Sequence, residues 1–416
     1  MANIIDDLNW RGLIKDYSDQ EKMKELLSTP QTIYCGFDPS AKSLHLGNFV
    51  MISILMRLQQ AGHRIIALVG GGTGMIGDPS GKSKERNLLD KNTAKQNTDA
   101  IHDQLSKFLH FEDPSKGVLL NNYDWLSKIS LLDYLRDYAK YFNVSYMINK
   151  DIVKNRLEAG ISLAEFSYMT LQSIDFLKLH ELEKCNIQIG GSDQWGNLTA
   201  GLELIRKVQP DAKCEVMTAN LITRSDGKKF GKSEDGALFL DPKLTSPYKM
   251  YQFFINQSDE DSVKYIKIFT FLSKEEITEI EKEHLANLGQ RIAQKRLAYE
   301  VVKIIHGEEA ANEAIKMSEC LFKNDFKDLK EEQIEELFPK GMIHESKGNI
   351  SLVDLVIEAG AASSKREARE FIKNGAILIN GEQEKDENKV FQSKDGLFNK
   401  YLILRRGKKN YYLLKF

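Results

Sequence analysis

The chain has 416 residues, 42% hydrophobic and 28% charged, with a formal net charge of −2. That predicts a globular protein of two or three domains and excludes a whole-molecule field that would announce a nucleic-acid partner. Its four scattered cysteines (Cys35, Cys185, Cys214, Cys320) lack any CxxC spacing, which excludes a zinc or disulfide framework. The start is acidic, with no signal-peptide core, and no apolar run reaches membrane-spanning length, so a cytoplasmic protein without a membrane partner is expected.

In chain order, Thr32–Phe37 reads as a short apolar strand. Gly47–Gln60 has helical periodicity (Phe49, Ile52, Leu55, Met56) and stops at Gly62. Arg64–Val69 is a second buried strand, followed by Gly70-Gly71-Gly72-Thr73-Gly74. Asn92–Leu109 reads as a helix, Gly117–Leu120 as a strand, and Leu163–Leu179 as a helix. Ile187–Ile189 is a strand and Gln194–Val208 a helix. This alternation predicts an α/β fold with a mostly parallel, doubly wound sheet. Such sheets bind ligands outside the carboxyl ends of their strands.

After about Ser246 the strand signals fade into helices (Lys274–Glu283, Gly289–His306, Ala310–Phe322). Asp325–Gly348 is charge-rich and reads as a linker. The remainder reads as two helices, Leu352–Ala359 and Lys365–Asn374, then a strand pair turning at Asn380-Gly381. From Ser351 onward there are 13 Lys and Arg against 9 Asp and Glu, a net of +4, which leaves −6 for the preceding residues. The domains expected are 1–245, 246–325 (α-helical), a linker 326–348, and 349–416 (small α+β).

Two stretches nearly 190 residues apart carry the strongest chemical signal. Asp38-Pro39-Ser40-Ala41-Lys42-Ser43-Leu44-His45-Leu46-Gly47-Asn48 puts a His and a Gly at a helix start, directly after a strand. Lys229-Phe230-Gly231-Lys232-Ser233 is a basic loop with a Gly hinge. A nucleoside triphosphate held between them would meet donors on both sides. Gly81-Lys82-Ser83 resembles the end of a phosphate loop, but the upstream Gly spacing is wrong. Lys82, Lys84 and Arg86 make a dense basic loop, either a solvated surface or a clamp for pyrophosphate.

Tyr168, Gln172 and Asp175 fall at i, i+4 and i+7, one face of an otherwise apolar helix. Such a stripe is either an interior hydrogen-bond network or a pocket for a small zwitterion with a polar tip. Gly190-Gly191-Ser192-Asp193-Gln194-Trp195 joins a strand to a helix. An N-cap accounts for Ser192 or Asp193, but not for the whole run. No nucleophilic triad and no metal-ligand spacing appears, so no protein-held metal is expected. The chemistry would be positioning and charge stabilisation.

These motifs resemble, in order and over essentially the whole chain, the class I aminoacyl-tRNA synthetases, specifically the bacterial tyrosyl branch. His45-Leu46-Gly47-Asn48 resembles the family's His-Ile-Gly-His signature, and Lys229–Ser233 its Lys-Met-Ser-Lys-Ser loop. Tyr34-Cys35-Gly36-Phe37-Asp38-Pro39 and Gly77-Asp78-Pro79-Ser80-Gly81-Lys82 fall in family order too. The resemblance implies a Rossmann-like catalytic domain, an anticodon-side helical domain and an RNA-binding domain like that of ribosomal protein S-four. It implies activation of L-tyrosine by ATP, with Mg2+ accompanying the nucleotide, then transfer to the 3′-terminal adenosine of tRNA(Tyr).

On this resemblance Ser40, His45 and Asn48 meet phosphates, and Lys82, Arg86, Lys229, Lys232 and Ser233 close on pyrophosphate. Tyr34 and Asp175 bracket the phenol hydroxyl. Asp78, Tyr168 and Gln172 hold the ammonium, and Gln194 lies near the carboxylate. Gly36, Asp38, Gly47, Gly191, Asp193, Phe230 and Gly231 complete the ATP site. Asn48 stands for the signature's second His, and its amide can still donate to a phosphate. Ser40 stands where relatives have Thr.

The resemblance also implies a homodimer, with Leu131–Ile148 as either interface or core. Lys365, Arg366, Arg369, Lys373, Arg405, Arg406, Lys408 and Lys409 are the basic residues for RNA. Two other readings are a catalytically silent RNA-binding relative and a tryptophan enzyme of the same fold. Both signature loops speak against the first, and Asp175 with Tyr34 favours a phenol over an indole.

Overall fold

The computed structural model describes residues 3–80, 91–157, 160–225, 230–233, 236–338, 342–346, 348–407 and 410–416. The chain divides into two compact units, Met1–Ser246 with Gln257–Leu297, and Pro247–Asn256 with Ala298–Phe416. The stretch 246–325, read from sequence as one helical domain, is thus shared between them.

The first unit is built on a six-stranded sheet of β1 (Ile14–Tyr17), β2 (Thr32–Phe37), β3 (Arg64–Val69), β4 (Gly117–Asn121), β5 (Cys185–Gly191) and β6 (Glu215–Ala219). The strand order is β1-β6-β5-β2-β3-β4, parallel throughout except for the antiparallel edge strand β1. From β2 the chain builds outward through β3 and β4, then returns to the other side of β2 with β5 and β6. The topological switch point therefore lies between β2 and β5, and a ligand crevice is expected at their carboxyl ends. In β3 the run Ile65-Ile66-Ala67-Leu68-Val69 is wholly buried, as a central parallel strand covered on both faces requires. Strands β1 and β6 escape the sequence reading. The first is a four-residue edge strand in a polar segment, and the second begins with Glu215, whose carboxylate is buried and accepts from Ser18 Oγ at 2.5 Å.

Five helices matter for the site: α1 (Leu46–Gln60), α2 (Lys91–Leu105), α3 (Leu163–Glu183), α4 (Trp195–Val208) and α5 (Asp259–Phe269). On one sheet face Tyr34, Ile66, Leu68 and Val216 pack with Ile174, Phe176 and Leu177 of α3 and Leu198, Leu202 and Ile205 of α4. Burying that many large aliphatic side chains, each contributing roughly 1.5–3 kcal/mol, is what fixes α3 and α4 over the switch point.

The second unit holds a five-stranded sheet ordered Glu382–Gln383, Ile377–Ile379, Tyr401–Arg406, Asn410–Lys415, Ile343–Glu345. Asn380 and Gly381 join its first hairpin with φ of 48° and 90°, the left-handed pair a two-residue turn of this hand demands. Helices Leu352–Glu358 and Lys365–Lys373 share a core with Ile377, Leu402 and Leu404. The stretch 326–348, read as a linker, contains the helix Glu331–Glu336 with Ile334 fully buried, and its strand Ile343–Glu345 pairs in parallel with Asn410–Lys415. Glu331 and Glu332 are exposed on the helix that buries Ile334, a charged face that hides the apolar anchor from a compositional reading. Among the described residues no helix is long and apolar enough to cross a membrane.

Candidate active site

The two signature stretches meet. Leu46 N donates to Leu238 O at 2.7 Å and Leu240 N to Leu44 O at 2.8 Å, while Leu238 N donates to Gly231 O at 3.0 Å. Gly231 has φ +78°, and a Cβ there would stand 3.5 Å from Gly47 N. The basic loop is thus stitched to the start of α1. Lys82, Arg86 and Lys229 lie outside the described residues, as do Lys408 and Lys409. Lys232 and Ser233 form a short strand described by its backbone.

His45 is the N-cap of α1. Its Nδ1 accepts from Asn48 N at 3.2 Å, and Asn48 Oδ1 accepts from His45 N at 3.0 Å, a reciprocal capping box. Because Nδ1 accepts, the neutral ring carries its proton on Nε2, which makes that nitrogen the donor for an anion. Gly47 is required here, since a Cβ would fall 2.9 Å from His45 Cε1. Asn48 spends its carbonyl on the cap and keeps its amino group for donation. Ser40 is exposed in the loop after β2, its N–H bonded to Asp38 O.

The loop's described ends rest on α5. Ser225 donates through N and Oγ to Asp261, Lys264 Nζ donates to Thr223 O, and Phe230 packs on Tyr265 and Phe269 at centroid distances of 4.8 and 4.9 Å. The carboxyl end of α5 is held by two buried guanidinium groups. Arg11 donates to the carbonyls of Lys267, Thr270 and Leu272, and Arg57 of α1 to those of Thr270 and Ser53. Burial beside Arg11 pushes Arg57 down to about 9, and helix-end carbonyls are the acceptors such cations suit.

Beneath the crevice lies a buried acidic pocket. Tyr34, Tyr168, Asp78 and Asp175 are all buried, and Gln172 and Gln194 are half-buried. Tyr168 donates its hydroxyl to both oxygens of Asp38 at 3.0 and 3.2 Å. Burial first, then the charges of Asp38, Asp78 and Asp175, push that phenol well above its usual range. Gathering three carboxylates around one buried phenol is unfavourable unless a cation joins them. The hydroxyl of Tyr34 is buried without a hydrogen-bond partner, and burial beside Asp175 raises its pKa strongly. Asp175 is pushed up to about 7 by burial, against the donors of Asn122 and Trp125.

Asn122 and Trp125 are site residues the sequence reading missed. Trp125 Nε1 donates to Asp175 Oδ1 at 2.8 Å, and Asn122 Nδ2 to Asp175 Oδ2 at 2.9 Å. Asn122 also donates to Thr73 Oγ1 at 2.9 Å and accepts from Gly72 N at 2.8 Å. Their signal was position, just past the carboxyl end of β4. The glycine run is explained by the same residues. A Cβ at Gly70 would strike Asp38, at Gly71 Asn121, and at Gly72 would press on Asn122. These glycines make room for the pocket's polar shell and do not form a phosphate cradle.

At the head of α4, Gln194 Nε2 donates to Asp78 Oδ2 at 2.5 Å. Asp193 is exposed and folds over Gly191, where a Cβ would lie 2.6 Å from its Oδ1. Gly36, near the end of β2, has open space above it. The structure thus forms two groups: Tyr34, Asp38, Asp78, Tyr168, Asp175 and Gln194 around the buried carboxylates, and His45, Gly47, Asn48 and Gly231 where the loop meets α1. Gly36 lies near the end of β2, Gly191 ends β5 with Asp193 just beyond it, and Phe230 packs on α5.

A parallel sheet with its switch point between β2 and β5, and a His-Leu-Gly-Asn helix start joined to the Phe230-Gly231 turn, is the arrangement that defines a class I tRNA synthetase. Residues 27–323 match the family described as tRNA synthetases class I (W and Y), and residues 332–414 match a tyrosine–tRNA ligase C-terminal domain. The tyrosine–tRNA ligase of Bacillus caldotenax is 49% identical over 418 residues, covering 100% of both chains. Tyrosine–tRNA ligase 1 of Bacillus cereus is 50% identical over 416 residues, 99% of this chain and 100% of its own. Among solved structures, a C-terminally truncated mitochondrial tyrosyl-tRNA synthetase of Aspergillus nidulans aligns with a TM-score of 0.69 and 31% identity, covering 77% of this chain and 95% of that one. The chain belongs to the tyrosine–tRNA ligase family of class I aminoacyl-tRNA synthetases.

Proposed function

We propose that the chain activates L-tyrosine with ATP and passes it to the terminal adenosine of tRNA(Tyr), using the pocket residues in the following roles. The observation that carries the substrate choice is the buried, unpartnered Tyr34 hydroxyl beside the Asp175 carboxylate. A phenol hydroxyl entering there donates to Asp175 and accepts from Tyr34. Phenylalanine leaves both polar groups unpaired, and indole presents its N–H in a different place. Asp78, Tyr168 and Gln172 receive the ammonium in the acidic part of the pocket, and Gln194 lies by the carboxylate.

In the first step a carboxylate oxygen of tyrosine bonds to the α-phosphorus, and the bond from that phosphorus to the bridging oxygen breaks, releasing pyrophosphate. Charge builds on the phosphoryl oxygens, so preorganised donors supply the catalysis. Ser40, the Nε2 of His45 and the amino group of Asn48 face the phosphates from the α1 side. Lys82, Arg86, Lys229, Lys232 and Ser233 are assigned to the departing pyrophosphate. Gly36, Gly47, Gly191, Phe230 and Gly231 shape the nucleotide site, and Asp38 and Asp193 lie by the adenosine. Mg2+ is assigned to enter with ATP as the triphosphate's counter-ion. In the second step a ribose hydroxyl of the tRNA attacks the tyrosyl carbonyl and AMP leaves.

The second unit is assigned to the tRNA through its C-terminal part, 349–416. Lys365, Arg366, Arg369 and Lys373 are exposed on one helix, whereas Arg405 and Arg406 turn inward onto Asn324 and Ala361. The working form is assigned as a cytoplasmic homodimer. Leu131, Leu132, Leu135, Val144 and Leu163 are 52–78% exposed, an apolar surface that a second copy would cover.

The deciding experiment is ATP–pyrophosphate exchange with each amino acid in turn, followed by charging of tRNA. Tyrosine alone should support both. Equal exchange with phenylalanine would overturn the pocket assignment.

A further inference from the structure

We propose that Asn197 is a positioning residue that orients the attacking carboxylate by locking the amide of Gln194. The inference rests on the roles given above to Gln194 and Asp78, and it adds what holds Gln194 in place.

Asn197 lies in the first turn of α4 and is fully buried. Its Nδ2 donates to Gln194 Oε1 at 2.9 Å and to Ser80 Oγ at 3.3 Å. Gln194 Nε2 donates to Asp78 Oδ2 at 2.5 Å, and Asp78 Oδ1 accepts from Ser80 N at 2.9 Å. The four residues close a ring, Asp78–Gln194–Asn197–Ser80 and back to Asp78.

Asp78 accepts at both of its oxygens, from Gln194 Nε2 and from Ser80 N, so Gln194 turns its amino group toward Asp78 and its carbonyl away. That carbonyl then needs a donor, and the amino group of Asn197 is the one it meets. Asn197 is consequently left with its own Oδ1 pointing elsewhere, buried and without a hydrogen-bond partner. An orphaned buried carbonyl costs stability. A side chain selected only to fill this space would be apolar and would carry no such penalty. The feature that distinguishes asparagine here is the donor it presents to Gln194.

The amino group of Gln194 has two N–H bonds. With one committed to Asp78 and the carbonyl held by Asn197, the amide plane is fixed and the second N–H has one direction. That N–H fixes the line along which the tyrosine carboxylate approaches phosphorus. Freeing the amide would leave tyrosine bound by its hydroxyl and ammonium but poorly aimed, so the loss falls on the chemical step.

The test is a double-mutant cycle in tyrosine-dependent pyrophosphate exchange with the full chain: Asn197→Ala, Gln194→Ala, both together, and Asn197→Asp. Expected is a fall in kcat of roughly ten- to a hundredfold for Asn197→Ala, with KM for tyrosine changed less than about threefold. Asn197→Asp, equal in volume but unable to donate, should do worse, because its carboxylate faces the Gln194 carbonyl. In the Gln194→Ala background Asn197→Ala should add almost nothing. The same factor in both backgrounds would overturn the proposal while leaving the Gln194 assignment standing. If Gln194→Ala alone left exchange unchanged, the assignment of Gln194 would fall and this inference with it. Should Asn197→Ala fail to fold, Asn197→Leu, close in shape, neutral and unable to donate, carries the same cycle.

Discussion

Trp125 donates its indole N–H to Asp175 at 2.8 Å, from a residue four places beyond the end of β4 to the buried face of α3. The bond fixes Asp175 and opposes the burial that raises its pKa to about 7. The sign of the consequence follows. In the free protein Asp175 is protonated below that value and ionised above it. A phenol hydroxyl donates best to the ionised form, so tyrosine binding favours loss of the proton. Tyrosine affinity should therefore rise with pH through about 7, with proton release on binding near and below that pH. Isothermal titration in buffers of different ionisation enthalpy would detect the proton. Asp175→Asn should abolish both the release and the rise.

Trp125→Phe keeps the ring and removes the donor. Burial then acts with less opposition, so the Asp175 titration should move upward in pH. The preference for tyrosine over phenylalanine should fall by about tenfold, the order of one buried hydrogen bond to a charged group. Competitive exchange assays at pH 8 give that ratio, and an unchanged ratio would remove Trp125 from the specificity network.

Much of this pocket was legible in the sequence alone. Tyr168, Gln172 and Asp175 share a helix face because 3.6-residue periodicity places them there, and the apolar residues between them mark the helix as buried. The strands Thr32–Phe37 and Arg64–Val69 coincide with β2 and β3 because continuous apolar runs between turn signals have few other readings. Asn122 and Trp125 were not legible, since their role depends on β4 lying beside β3 and on α3 crossing above. The Gly70–Gly72 run was visible but its reason was not, because Asp38, Asn121 and Asn122 reach it only through the fold. Nor could the ends of the basic loop be assigned to α5 from sequence, for Phe230 and Phe269, 39 residues apart, are joined by packing alone.

Gly231→Ala tests how the two signatures touch. At φ +78° an alanine is strained by about 1–2 kcal/mol, and its methyl would lie against the backbone of Gly47. The strain falls on the loop and spares the pocket. Pyrophosphate exchange should slow by about tenfold, while tyrosine binding measured by equilibrium dialysis stays as in the parent.

Arg57→Met examines the floor beneath that loop. It removes the charged donor to Thr270 and Ser53 and leaves the Thr270 carbonyl to Arg11 alone, at a cost of about 1.5–3 kcal/mol. Thermal unfolding should shift down clearly. At a temperature where the variant is folded, the KM for ATP should rise more than that for tyrosine, because α5 carries Phe230 and not the pocket. Equal changes in both would make Arg57 a stability residue alone.

For the tRNA, point substitutions are cleaner than removal of 349–416. Tyr401, Ile403 and Leu413 share a core with Tyr248, Met317, Leu329 and Ile334, so a truncation would strip the cover from helices outside the deleted segment. On the helix Lys365–Lys373, Ala368 and Ile372 face the core while Arg366 and Lys373 are exposed. Arg366→Glu with Lys373→Glu leaves that packing untouched and reverses two charges. If this face binds RNA phosphates, aminoacylation should lose tRNA affinity while pyrophosphate exchange is unaltered. The slope of log affinity against log salt should also become shallower by about 0.7–0.9 for each phosphate that the variant no longer neutralises. A parallel loss of exchange would mean that the substitutions act on folding. An unchanged salt slope would place the tRNA on another surface.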